Sequence, residues 1–160
     1  MFRKTIIDAS NADSIRRTEE KDIGALATVL VSSEDADHPI DYAFDANEGR
    51  GATRWIAGEP GVQTVILSFD VPQAIRKVRL AIEEPDTTRT QEMDLSLSDD
   101  GGRTYRHVLR QEYNFSPPGT TMEREEWTFV ADCVTQLRLR IKPDKSERPC
   151  RATLTTFAVS

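Results

Sequence analysis

Met93–Val108, MDLSLSDDGGRTYRHV, constrains the fold of this chain more than any other stretch. Met93, Leu95 and Leu97 fall on every second position, the run breaks at Asp99-Asp100-Gly101-Gly102, and Tyr105 and Val108 resume an extended pattern. Glycine supplies the positive φ that a tight turn needs, and aspartate side chains accept turn N–H groups. The stretch predicts a β-hairpin with one face turned to a core.

The same signals recur along the chain. Strands are predicted over Leu26–Val31, Thr64–Phe69, Arg76–Ile82, Glu92–Ser98, Tyr105–Gln111, Glu126–Ala131, Gln136–Lys142 and Ala152–Val159. The pair Thr64–Phe69 and Arg76–Ile82 is separated by Asp70-Val71-Pro72-Gln73, a turn signal. Leu137, Leu139 and Ile141 alternate with Arg138, Arg140 and Lys142, so one face is buried and the other wet. Eight short strands with almost no helical periodicity predict an all-β antiparallel sandwich, or jelly roll. Met1–Asp22 reads as a polar arm in which Ser14–Lys21 can form a short helical turn, and residues 23–160 read as one domain. Asp35–Gly61, rich in Asp, Gly, Pro and Ala, carries few strand signals.

Charge and cysteine usage narrow the function classes. A net charge of -6 disfavours non-specific attraction to nucleic acid or anionic membranes. The basic run over 138–151 reads as the solvated face of a strand and its turn. No segment approaches the roughly 20 apolar residues of a membrane span. Met1–Asp13 lacks an apolar core and a small-residue cleavage site, so the expected location is cytoplasmic. Cys133 and Cys150 do not make a disulfide framework, which suits reduced thiols.

The sequence holds no G-x-S-x-G, H-E-x-x-H, C-x-x-C or P-loop, and His38 and His107 are its only histidines. Glu125-Glu126 lies at the start of a predicted strand, and adjacent side chains of a strand point to opposite faces and cannot converge on a glycosidic bond. The expectation is therefore a protein without catalytic activity. Ser98, Asp100, Gly102, Thr104 and Tyr105 fit S-x-D-x-G-x-T-[aromatic], which resembles the Asp-box hairpin of sialidases and many carbohydrate-active proteins. A chain of 160 residues is too short for a sialidase propeller, so that resemblance bears on the hairpin alone.

A broader resemblance begins at Ala43-Phe44-Asp45-Ala46-Asn47, followed by Thr53-Arg54-Trp55. This is similar to the A-x-D-G-N-x-x-T-x-W segment of the discoidin, or coagulation-factor type C, family. Carbohydrate-binding modules of the galactose-binding-domain-like fold share it. VILSFDVPQAIRKVRL and the hairpin that follows are also similar to that family, over residues 23–160. The resemblance implies a jelly-roll β-sandwich that binds a carbohydrate or a protein partner through loops at one end.

It also implies a structural calcium ion, with Asp45 and Thr53 at family ligand positions and Asn47 matching the motif. Ala46 stands where the family has glycine, and Thr153 or a neighbour where it has an acid; Asp45 and Asn47 read equally as turn caps. For the ligand, Gln111–Met122 offers Tyr113, Asn114 and Phe115 ahead of Pro117-Pro118-Gly119, either as an aromatic platform or, for the rings, as plugs beneath the loop. Glu83–Gln91 adds Arg89, and Asp35–Tyr42 adds His38 and Asp41.

A second likeness belongs to another function class. Val31, Ser32, Ser33, Asp35, His38, Trp55, Tyr105, Val108, Leu109, Phe115, Ser116 and Pro117 together resemble the N-terminal domain of a DNA single-strand-break repair scaffold, of the same fold class. That likeness implies a protein-interaction module. The acidic balance argues against binding a phosphate backbone, which needs Lys and Arg.

Overall fold

The computed structural model of the chain describes residues 20–47 and 51–160. The short helical turn expected over Ser14–Lys21 falls almost wholly outside them. A single helical turn, α1 (Ile23–Leu26), is capped by the Asp22 side chain and leads directly into β1 (Ala27–Val31). A long excursion follows, carrying a 3-10 turn at Ile40–Ala43 and the short β2 (Trp55–Ile56). Then come β3 (Gln63–Glu83), β4 (Arg89–Ser98), β5 (Arg106–Phe115), β6 (Met122–Lys142), β7 (Thr153–Leu154) and β8 (Thr156–Val159). Among the described residues no helix is long and apolar enough to cross a membrane.

Every pairing among these strands is antiparallel. The main sheet runs β1-β3-β6-β4-β5, with β8 also on β3, and β2 pairs with β7. β3 and β6 each absorb two of the strands expected from the sequence. Their shared register breaks between Ser68 and Lys77, and Cys133 on β6 takes a positive φ of 58° at the same corner. Bulges of this kind bend a strand sharply and let it pass from one layer of a sandwich to the other. Hence β1 and β4 pair with the halves over 65–69 and 136–142, while β8 pairs with the half over 78–81.

The alternation expected from the sequence fills the space between the layers. Leu95, Leu97, Leu137, Leu139 and Ile141 are buried together with Val65, Leu67, Val78, Leu80 and Phe157. Full burial of such a side chain stabilises the fold by about 1.5–3 kcal/mol. Arg140 is exposed, and Arg138 lies 3.8 Å above the Tyr105 ring on the outer face. In the β4–β5 turn, Gly101 and Gly102 take positive φ, and Asp100 accepts from the Thr104 amide and hydroxyl. Those bonds, with one from Ser98, hold the Asp100 carboxyl well below its usual pKa.

One element differs from expectation in a way that matters for function. β5 continues to Phe115, so Tyr113, Asn114 and Phe115 belong to a strand and not to a loop. They pair with Gln91, Thr90 and Arg89. Tyr113 and Phe115 point inward and are buried, and only Asn114 faces out. The platform reading of the two rings is corrected: the period of two carries on from β5 and turns both rings into the core.

Candidate functional site

The register places the loops at two ends. Val31, Gln63, Arg89, Phe115 and Lys142 lie at one end of the first layer, and Glu83 and Met122 return to that end because β3 and β6 turn at their corners. The connections over 32–62, 84–88, 116–121 and 143–152 therefore cluster there, tied by Glu84 N to Thr121 O (2.8 Å) and Lys145 N to Thr90 O (2.8 Å). The other end carries the Ser98–Arg106 turn, the β3 and β6 corners, Lys21 and Ser160. Cys133 is at that corner end and Cys150 at the loop end, and both are free thiols.

At the loop end, Asp35 organises a small polar cluster. Its Oδ1 accepts from Asp37 N (3.0 Å) and lies 3.2 Å from His38 Nδ1, while its Oδ2 accepts from Arg151 Nη1 (2.9 Å). These bonds hold the Asp35 carboxyl below its usual pKa, the His38 contact having the largest effect and the Asp37 amide the next. A pKa lowered by folding stabilises the folded state above the ordinary carboxylate range, and the contribution fades as acid protonates the folded group. His38 and Arg151 remain 40% and 47% exposed, so their outer nitrogens face solvent.

The backbone beneath the cluster is fixed. Asp35 N donates to Ile56 O (2.8 Å), Ile56 N to His38 O (3.2 Å), and Ala57 N to Ala152 O (2.9 Å). Trp55 is wholly buried, and its indole N–H donates to Ser33 O (3.0 Å), pinning the segment that leads into Asp35. Gly58 passes so near this segment that a Cβ there would lie 2.7 Å from Glu34 O, which requires glycine.

Of the ligand-binding residues expected from sequence, only His38 stands in this cluster. Asp41 is exposed three residues further on, in the 3-10 turn. Asn114 accepts from the Thr90 hydroxyl (2.7 Å) on the edge strand farthest from β1. Arg89 is a correction: its side chain is 1% exposed and lies 2.9 Å from Glu84 Oε1, out of reach of a ligand. It touches the cluster from inside, donating through Nη1 to the Arg151 carbonyl (2.7 Å). Sequence reasoning missed Asp35 and Arg151 as site residues. The Asp-x-Asp-His spacing of residues 35–38 was the available signal for the first; nothing local marked the second.

The Asp45 loop acts as a braced turn. Asp45 Oδ1 accepts from Asn47 N (3.0 Å), and its Oδ2 accepts from the Thr53 hydroxyl. Glu83 binds the Gly51 amide with both carboxylate oxygens. Calcium needs six to eight oxygens, and among the described residues no group of three acidic, His or Cys side chains could hold a metal. Loss of an exposed side-chain cap typically costs about 1 kcal/mol. Asp45→Ala is accordingly expected to lower stability by about that much, equally with and without chelator; a chelator-dependent melting temperature in the parent protein would instead assign the loop to calcium.

Two hollows accompany these features. A cleft of about 380 Å³ lies at the loop end between the segments over 60–62 and 142–149. A larger, shallow one of about 660 Å³ lies at the opposite end, beside Arg76, Phe129 and Ser160. Pro149 in the wall of the smaller cleft lies two residues before Arg151, whereas the larger hollow is lined at the corner end.

No protein-family model matches the sequence, and no curated protein does. Solved structures do match in fold. The family 32 carbohydrate-binding module of AlyQ, in complex with 4,5-unsaturated mannuronic acid, is 20% identical, with a TM-score of 0.60 over 88% of this chain and 97% of that one. A family 32 module from C. perfringens NanJ, in complex with galactose, is 12% identical, with a TM-score of 0.58 over 83% and 92%. The chitosan-binding module 1 of a chitosanase/glucanase from Paenibacillus sp. IK-5 is 19% identical, with a TM-score of 0.56 over 84% and 94%. The β-sandwich described above thus shares the fold of these modules.

Proposed function

We propose that this protein is a non-catalytic carbohydrate-binding module whose site is the Asp35–His38–Arg151 cluster. One observation carries the reading: a carboxylate bonded to Asp37 N, His38 and Arg151 holds an imidazole and a guanidinium side by side at the loop end. A sugar presents neighbouring hydroxyls that need directional donors and acceptors. His38 Nε2, with the Nδ1 proton directed at Asp35, presents an acceptor, the outer Arg151 nitrogens supply donors, and Asp35 fixes their spacing before any ligand arrives, which reduces the ordering cost of binding. The fold shared with modules seen holding galactose or a mannuronic acid unit supports the reading. Asp41 and Asn114 belong to the same end and are candidates for more distant contacts.

A glycan array followed by calorimetry tests this. His38→Ala and Arg151→Ala are expected to weaken sugar binding at least tenfold, while exposed side chains of this kind change stability by about 0.5 kcal/mol or less. Raising the salt concentration should matter little, in contrast to binding driven by phosphate charge. Absence of binding to every glycan on the array would reject the reading and leave the protein-interaction module in its place.

A further inference from the structure

The 380 Å³ cleft beside the cluster is lined by Pro60, Val62, Pro143 and Pro149, with Lys142 and Arg148 at its rim. We propose that it takes the second, uncharged sugar unit of an oligosaccharide whose terminal unit sits on Asp35, His38 and Arg151; the inference rests on the carbohydrate reading above.

Continuity is the first argument. Pro149 lies two residues before Arg151, and two residues span at most about 7 Å. Between them, Cys150 O accepts from Gly61 N (3.3 Å), joining the two walls of the cleft at the edge of the cluster. A chain leaving the cluster meets this surface next.

The lining supplies the second argument. Sugar rings present apolar C–H faces, and here three prolines and Val62, which is 49% exposed, offer an apolar wall that the core does not require. The rim charges are internally matched: Lys142 Nζ lies 3.1 Å from Glu147 Oε1, and Arg148 Nε lies 2.6 Å from Asp144 Oδ2. Each rim cation faces a carboxylate, so the wall carries little net charge, which suits a neutral unit.

Rigidity is the third. Asp144 is buried and ties down Ser146 N (2.9 Å) as well as Arg148, while Arg148 Nη2 donates to Thr88 O (2.6 Å). With proline fixing φ at three positions, the wall is shaped in advance. Its volume lies within the range of small-ligand sites, about 300–1,000 Å³.

The test compares galactose, N-acetylgalactosamine and glucose with neutral di- and trisaccharides ending in each, and with sulfated and uronic chains. The expected result is a neutral disaccharide binding about tenfold tighter than its own terminal monosaccharide. Val62→Asp should erase that gain while leaving monosaccharide affinity and melting temperature unchanged, and Val62→Ser should reduce it. A disaccharide no tighter than its monosaccharide, a gain that survives both variants, or a preference for charged chains overturns the second subsite but keeps the first. Binding of no sugar at all removes both.

Discussion

Phe115→Ala is expected to lower stability by about 3–5 kcal/mol, the usual cost of emptying a ring-sized space in a packed core. Phe115 is 2% exposed at the end of β5, opposite Arg89, and belongs to the same apolar cluster as Met93, Leu95 and Trp127. Tyr113→Ala should cost a similar amount, because Tyr113 is 3% exposed on the same face of the strand. Tyr113→Phe should behave differently. The hydroxyl is buried without a hydrogen-bond partner, and burial, followed by the charges of Glu125 and Glu123, pushes its pKa up. Removing a polar atom that is buried and unsatisfied is neutral or stabilising, by up to about 1 kcal/mol. Chemical denaturation of the three variants measures this directly. Small losses in both alanine variants, with loss of sugar binding, would return the rings to a ligand site.

Why the rings are expected on a loop, while the alternating strands are legible, follows from what kind of signal each leaves. Leu137, Leu139 and Ile141 alternate with charged residues, and a period of two needs no knowledge of distant partners. Tyr113 and Phe115 keep the same period, but the prolines at 117 and 118 and the polar composition around them read as a loop. Asp70-Val71-Pro72-Gln73 misled in the opposite direction. It has turn composition, yet β3 runs through it, because Pro72 sits where the register with β6 is already broken and no ladder bond is lost. The site was less legible still. His38 stood out as a rare residue type, but Arg151 meets Asp35 across 116 residues of sequence. In isolation Arg151 was one more cation at the end of a basic run. Only the antiparallel register of β1, β3 and β6, which brings the two loops to one end, gives it a partner.

Arg89 carries the second large effect. Arg89→Met is expected to cost about 3–5 kcal/mol, as breaking a buried ion pair does when the other charge is left behind. The partner is Glu84, whose side chain is 10% exposed and whose Oε1 lies 2.9 Å from Arg89 Nε. That contact is not aligned as a hydrogen bond, and Nη2 has no partner, so the pair is held mainly by charge in a space closed to water. A pair of this kind gains little over apolar packing, because desolvating both groups offsets their attraction. The double variant Arg89→Met/Glu84→Leu should therefore recover most of the stability lost in the single one. Sugar affinity separates the remaining role of Arg89 from its charge. Its Nη1 supports the Arg151 carbonyl, a bond that neither Met nor the double variant restores. Stability should return in the double variant while sugar affinity stays reduced. Recovery of both would confine Arg89 to the ion pair, and recovery of neither would mean that the guanidinium contributes to packing in a way methionine does not reproduce.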